Sequence, residues 1–337
     1  MDSIKKVLLV GGGGYVGAEL QKMLGESNYR VRVLDTFWYP SGIWNRYDGN
    51  FASKIEYIKG DIRDRATVSK ALKGMDACIH LACISNDPSY ELNPSLAKSI
   101  NYEAFEMFAE ETNKSSIKKF IYASSSSVYG VKAEKNVTED LECEPLTDYS
   151  KYKVLCEKIA LTKVSKEICL TIVRPSTVCG YSRRQRFDLV VNLLTLSAYT
   201  NSVITVDGGD QFRPNLHIKD MNAAYKSLLE ASPRIINRQI YNVAGENLTV
   251  LEIAKKVQSQ MSGNCKIDIV PVFDQRSYRV SGRKIKNEIG FIPQYTVDDA
   301  IIDIKNAISS GKYPNLESEV YYNMKQMKLL MLKGTVK

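Results

Sequence analysis

The sequence predicts an α/β protein: a doubly wound parallel sheet with a smaller C-terminal lobe interleaved into it. Three observations predict it. Runs rich in Val, Ile and Leu alternate with helical patterns through the first 175 residues. A run of four glycines joins the first apolar run to the first helix. After about residue 176 the apolar runs shorten and the alternation changes. Near-continuous apolar strands joined by helices mark a parallel sheet covered on both faces.

The elements follow in order. "KKVLLV" (5–10) is the first strand, and a helix runs from about Gly14 to Leu24. "RVRVLD" (30–35) is the second strand and leads into an aromatic loop, "TFWYPSGIWNRY". "IEYIKGD" is the third strand, followed by a helical stretch at 64–73. "ACIHLA", a long helix over about 94–114, and "KKFIYASS" come next. A helix starting near Tyr149 and the strand "CLTIVRP" complete the first domain. Beyond it lie short strands ("VITV", "IYNVAG", "KIDIV") and helices near 219–231, 249–262 and 296–311. This reading divides the chain into residues 1–175, joined by about 219–243, and a second lobe of 176–218 and 244–337. The tail "YYNMKQMKLLMLKGTVK" reads as a packed terminal helix rather than a membrane contact.

Composition limits the partners. The 337 residues are 44% apolar and 25% charged, as in globular proteins that fold in water. A net charge of +8 suits an anionic ligand. No arginine-rich tract or aromatic-interleaved basic strand points to nucleic acid. No stretch is long and apolar enough to span a membrane. The N-terminal apolar run is too short for a secretory signal. The seven cysteines are irregularly spaced, contain no CxxC and are joined by only two histidines, so no metal site is expected. Reduced thiols in apolar runs fit a cytoplasmic protein.

The glycine turn carries the first chemistry. "VLLVGGGGYVGAEL" places Gly11, Gly14 and Gly17 three apart, after a strand and at the head of a helix. In that context glycines let the backbone approach a pyrophosphate, and the helix N-terminus supplies N–H groups to its oxygens. Asp35 ends the next strand, 18 residues after Gly17. A carboxylate there accepts hydrogen bonds from ribose hydroxyls and repels a 2′-phosphate, so NAD is favoured over NADP. Asp61 and Ile62 end the third strand, where an adenine ring fits. Ala82 and Cys83 end the fourth with small side chains that permit close approach.

The second signal is "LTDYSKYKVLCEKIA" (146–160), with Tyr149 four residues before Lys153 near a helix start. Residues so spaced are neighbours on a helix. An ammonium beside a phenol favours the phenolate, which equips a tyrosine to exchange protons near neutral pH.

Taken together, Gly11-x-x-Gly14-x-x-Gly17, Asp35, Asp61-Ile62, "HLAC", Asn101, "SSSSVYG", Tyr149-x-x-x-Lys153 and "FRPNLHIKD" resemble the extended short-chain dehydrogenase/reductases, specifically the NAD-dependent epimerase/dehydratase family acting on nucleotide sugars. The resemblance spans nearly the whole chain and implies a Rossmann-type first domain and a substrate-binding second lobe. It implies Tyr149 as acid/base, Lys153 as its electrostatic partner and Ser125 as the hydroxyl that orients the reacting sugar oxygen, with Ser124 and Ser126 as fallbacks. The implied NAD site comprises Gly11, Gly14, Tyr15, Val16, Gly17, Asp35, Asp61, Ile62, Leu81, Ala82, Cys83, Asn101, Ser124, Tyr149, Lys153 and Pro175. The implied substrate site comprises Ser85, Ser125, Ser126, Thr177, Arg186, Asn192, Arg213 and Arg276. Arg213 and Arg276 are the leading pyrophosphate ligands, Arg186 is a third candidate, and Asn192 is placed at the nucleotide end. A homodimer through the helices at about 94–114 and 149–165 is also implied.

Two departures refine this. Dehydratases of the family carry an Asp-Glu pair after the catalytic hydroxyl, whereas Ser126 and Ser127 stand here, so 4,6-dehydration is disfavoured. Thr177 replaces the asparagine of many sugar epimerases, and "RPSTVCG" with "RRQRFDLVVN" is similar to a subgroup that includes a GDP-heptose 4-dehydrogenase. The expectation is an NAD-dependent enzyme oxidising C4 of a nucleotide sugar, as epimerase or dehydrogenase. A nucleotide-sugar ketoreductase and a non-catalytic NAD-binding protein are the alternatives.

Overall fold

The computed structural model describes residues 4–39, 51–261, 265–272 and 277–336. The second part of the aromatic loop and Arg276 lie outside these residues.

The strands are β1 (Lys6–Val10), β2 (Arg30–Asp35), β3 (Ile55–Lys59), β4 (Ala77–His80), β5 (Lys119–Ala123), β6 (Cys169–Pro175), β7 (Thr177–Cys179), β8 (Val203–Asp207), β9 (Phe212–His217), β10 (Gln239–Val243), β11 (Asn247–Thr249) and β12 (Lys266–Val270). Seven of them form one sheet in the order β10-β6-β5-β4-β1-β2-β3, every neighbouring pair parallel. The inner strands β4 and β5 are buried throughout, which explains their continuous apolar runs. From β1 the chain moves outward to β2 and β3, then returns to the other side at β4. The carboxyl ends of β1 and β4 therefore flank a crevice, the place where open α/β sheets bind ligands.

The smaller sheets are β11-β9-β7 and β12-β8. A separate apolar cluster packs beneath them, including Val191, Ile204, Val206, Ile253, Val257 and Ile301.

The expected helices form as Tyr15–Glu26, Arg65–Leu72, Asp148–Lys163, Ile218–Glu230, Val250–Gln260 and Val297–Ser309. The long helix expected over 94–114 is broken. Pro94–Lys98 and Ala104–Asn113 are α-helical, and Ser99–Glu103 between them is a π-turn. The tail forms a helix at Asn323–Leu332 that buries Met327 and Leu330 in the core beneath the main sheet. No described helix is long and apolar enough to cross a membrane. All seven cysteines are free, five of them buried. Among the described residues no cluster of three metal-ligating side chains occurs.

Candidate active site

A cavity of about 440 Å³ opens at the carboxyl ends of the main sheet. Its glycine wall follows directly from the sequence. Gly11 has φ +77°, and a Cβ there would meet the Ala82 backbone at 2.5 Å. A Cβ on Gly17 would meet the Gly12 backbone at 2.5 Å. Both positions therefore exclude side chains. Gly14 caps the helix Tyr15–Glu26 without a side-chain hydrogen bond, and the first turn holds no acidic residue. Unmet N–H groups at such a terminus suit an anion.

Asp35 is fixed by the backbone. Gly13 N–H donates to its Oδ2 at 2.8 Å and Phe37 N–H to its Oδ1 at 2.7 Å. Burial pushes its carboxyl up, against the lowering effect of those two N–H groups and of Arg184. Asp61 also lines the cavity but is held by Arg63, whose Nη2 lies 2.7 Å from Oδ2.

The serine turn and the Tyr149 helix form the opposite wall. Ser125 Oγ accepts from Ser127 N–H at 3.1 Å and lies 2.8 Å from Ser127 Oγ, fixing a 3₁₀ turn at Ser126–Tyr129. Thr147 and Ser150 form a capping box that starts the helix Asp148–Lys163, so Tyr149 falls in its first turn. The buried face of that helix carries Lys153, Cys156, Glu157 and Ala160. Lys153 Nζ donates to Ala123 O at 2.7 Å and lies 5.8 Å from the Tyr149 ring centroid. Glu157 forms a buried bidentate pair with Arg174, at 3.0 and 2.7 Å, and also accepts from Ser124 Oγ. Arg174 Nη1 donates to Tyr129 Oη at 2.9 Å, and Tyr129 Oη to Asn242 Oδ1 at 2.8 Å. This network anchors both ends of the serine turn.

The electrostatics of Tyr149 correct the expectation from spacing. Burial pushes its phenol well above the ordinary tyrosine value, and Cys83 and Asp87 act in the same direction. The lowering influences are a hydrogen bond with the Ser125 side chain and the charge of Arg186. Lys153 is neighbour to the ring, but its ammonium is hydrogen-bonded to the Ala123 carbonyl.

Most of the residues named from sequence line the cavity: Gly11, Gly14, Tyr15, Val16, Gly17, Asp35, Asp61, Ile62, Leu81, Ala82, Cys83, Ser85, Ser124, Ser125, Ser126, Tyr149, Lys153, Pro175, Thr177, Arg186 and Arg213. Two lie behind the wall instead. Asn101 spends its amide on the Ile84 backbone, accepting at 2.8 Å and donating at 2.9 Å. The π-turn directs it there and so holds the loop after β4. Asn192 is fully buried; it accepts from Gly180 N–H and donates to Arg186 O and Tyr15 Oη, so it braces the loop after β7. Arg186 faces the cavity, but its Nε and Nη2 lie 3.0 Å from the two carboxylate oxygens of Asp188. Its Nη1 is turned the other way and donates to Ser85 Oγ at 3.1 Å. His217 Nδ1 accepts from Lys219 N–H at a helix start, a structural role.

The sequence reading did not include Trp38, Tyr39, Asp87, Arg184, Tyr278 or Asn323 among the cavity residues. The visible signals are the start of the aromatic loop, which holds Trp38 and Tyr39, and the run Arg183-Arg184-Gln185-Arg186, which reads equally well as a solvated surface. Asn323 reaches the cavity from the tail.

Comparison with known proteins agrees with this architecture. The uncharacterized protein y4nG of Sinorhizobium fredii is 28% identical over 271 residues, covering 80% of this chain and 64% of that protein. A UDP-glucose 4-epimerase of Lactobacillus helveticus is 26% identical over 325 residues, covering 88% of this chain and 94% of that protein. The UDP-glucuronic acid 4-epimerase of Bacillus cereus, solved with UDP-glucuronic acid and NAD, superposes with a TM-score of 0.79 at 25% identity, covering 90% of this chain and 99% of that one. Residues 7–244, more than half of the chain, match the NAD dependent epimerase/dehydratase family. Family match, parallel sheet and glycine cradle agree: the chain belongs to this family of NAD-dependent, nucleotide-sugar enzymes.

Proposed function

We propose that the protein oxidises C4 of a nucleotide-linked sugar, as a 4-epimerase or a sugar dehydrogenase, with Tyr149 as its acid/base. The observation that carries the reading is the convergence of Tyr149, Ser125 and Lys153 on one wall of a cavity whose other wall is the glycine cradle. Bound NAD supplies the hydride acceptor. Tyr149, as phenolate, takes the proton of the C4 hydroxyl. Ser125, whose hydroxyl bonds to Tyr149 and favours the phenolate before the sugar binds, turns its one proton to that oxygen once the sugar is in place. Lys153, tied to Ala123 O, places a positive charge beside the ring. A keto-sugar that turns over within the cavity before reduction leaves as the epimer, and one that departs makes the chain a dehydrogenase.

The neighbours of Ser125 support this over elimination of water. Elimination needs an acid and a base placed at the sugar. Ser126 and Ser127 supply hydroxyls where dehydratases carry carboxylates. Arg213, on β9 and lining the cavity, is the described arginine we assign to the diphosphate of the substrate.

Replacing Tyr149 with Phe removes the proton acceptor and keeps the ring. Turnover of the nucleotide sugar is expected to fall by at least about 10²-fold, the usual worth of acid–base catalysis. NAD content after purification should be unchanged. A Tyr149→Phe enzyme with full activity contradicts the assignment.

A further inference from the structure

Arg184 differs from the other arginines of the cavity. It is 2% exposed and lines the cavity wall. Its Nη2 donates to Asn323 Oδ1 at 2.6 Å, and its guanidinium lies 4.0 Å from the Tyr39 ring centroid. Its Nε and Nη1 have no hydrogen-bond partner. Arg186, two residues on, is matched by both oxygens of Asp188. Arg184 has no such carboxylate partner among the described residues.

A buried charge with unused donors costs stability unless something else satisfies it. Burial holds the Arg184 guanidinium down at about 10, below its ordinary range, which is the mark of that cost. A planar fork with two open N–H groups suits phosphate oxygens. Two features place the phosphate. Tyr39 and Asp35, both within reach of the Arg184 charge, follow and end β2 at the dinucleotide end of the cavity. A second positive element, the helix terminus at Gly14, faces the same space. We infer that Arg184 is a ligand for the pyrophosphate of bound NAD, reaching over the cofactor from the loop after β7 and steadied by Asn323 of the C-terminal helix.

The inference rests on the dinucleotide reading of the glycine loop and is independent of which sugar is oxidised. It gives the tail a purpose. Asn323 also donates to Ser85 Oγ at 3.0 Å, and Gln326 to Trp38 O at 2.7 Å, so the C-terminal helix joins both sides of the cleft. An NAD molecule held by Arg184 ties these segments to the glycine loop and exchanges slowly.

The test uses the full chain stripped of cofactor, as wild type, Arg184→Met and Arg184→Lys. Calorimetry measures binding of NAD, of ADP-ribose, and of UDP and GDP as probes of the substrate diphosphate site. Melting of the ligand-free proteins is followed in parallel. Arg184→Met is expected to weaken NAD and ADP-ribose alike, by about 10- to 100-fold, the worth of hydrogen bonds to a charged group. Arg184→Lys should fall between it and wild type. Binding of UDP and GDP should be unchanged, and the ligand-free melting temperature should not drop, because an unpaired buried charge has been removed. Unchanged NAD affinity overturns the inference. So does a loss confined to UDP or GDP, which assigns Arg184 to the substrate, or a lowered ligand-free melting temperature with all ligands weakened, which makes it structural. A wild-type protein that binds neither NAD nor ADP-ribose overturns the glycine-loop reading itself.

Discussion

Tyr149 shows how far a two-residue motif constrains chemistry. The four-residue spacing to Lys153 predicts a lowered phenol pKa, yet burial is the largest influence and acts the other way. Ser125 is the first of the groups that oppose it. A hydrogen bond to the phenolate favours the charged form, so losing it raises the tyrosine pKa further. Replacing Ser125 with Ala should therefore shift the ascending limb of the kcat/KM–pH profile to higher pH. At neutral pH the rate should fall by about 10- to 100-fold, as for a lost hydrogen bond to a charged oxygen, and partly recover in alkaline buffer. A pH–rate profile measures this, and an unmoved limb would show that Ser125 does not act on the tyrosine. The spacing made the pair legible in the sequence. The sign of the burial effect was not, because it depends on the walls that Cys83, Asp87 and the serine turn build around the ring.

Elements, in turn, are held by buried polar groups that sequence patterns describe poorly. The helix Asp148–Lys163 buries Lys153 and Glu157 on its inner face, so it lacks a clean apolar stripe. Its C-terminus is closed by Arg238, whose guanidinium donates to the carbonyls of Leu161, Val164 and Ser165 at 2.7–2.9 Å. Lys119 does the same for Ile218–Glu230, donating to Leu228, Leu229 and Ala231 O at 2.7–3.0 Å. Cations at helix C-termini meet both the open carbonyls and the dipole. The pair Glu157–Arg174 is the sharpest case. Removing only the arginine leaves a buried carboxylate without its partner, and Arg174→Met should cost about 3–5 kcal/mol. Adding Glu157→Gln should recover part of that loss. Urea denaturation of the two variants checks it; a double variant no more stable than the single one would show that pairing is not what holds this region. The inner parallel strands β1, β4, β5 and β6 were legible because they are near-continuous apolar runs. β9 was not read as a strand, because Phe212–His217 contains Arg, Pro, Asn and His. The π-turn was missed because Ser99–Glu103 has ordinary helical residues, and only its position beside Ile84 requires the extra residue per turn.

At the scale of the whole molecule, the cavity is assembled from the ends of the parallel strands, the loop after β7, strand β9 and the C-terminal helix. The parts from the sheet were legible, since motif glycines, Asp35, the serine run and Tyr149 all fall at strand ends or helix starts. The parts from the rest were not. Arg184 and Asn323 lie 139 residues apart in the chain, and nothing local in the sequence marks either as facing the other. Asn192 and Arg186 both look like ligands in sequence; in the fold Asn192 bonds to Gly180 N–H, Arg186 O and Tyr15 Oη behind the wall, and Arg186 lines the cavity beside Asp188.

The central claim is hydride removal at C4, and one measurement addresses it directly. The holoenzyme is incubated with nucleotide hexoses carrying UDP, GDP or dTDP and deuterium at sugar C4, then denatured, and the released cofactor is analysed by mass spectrometry. With the substrate that turns over, and with the sugar analysed alongside the cofactor, deuterium should be found on the reduced nicotinamide ring if the keto-sugar departs, or retained at C4 of the inverted sugar if it does not, and the Tyr149→Phe protein should give neither. Turnover with the C4 deuterium lost to water, or with label reaching the cofactor from another ring position instead, would contradict the account.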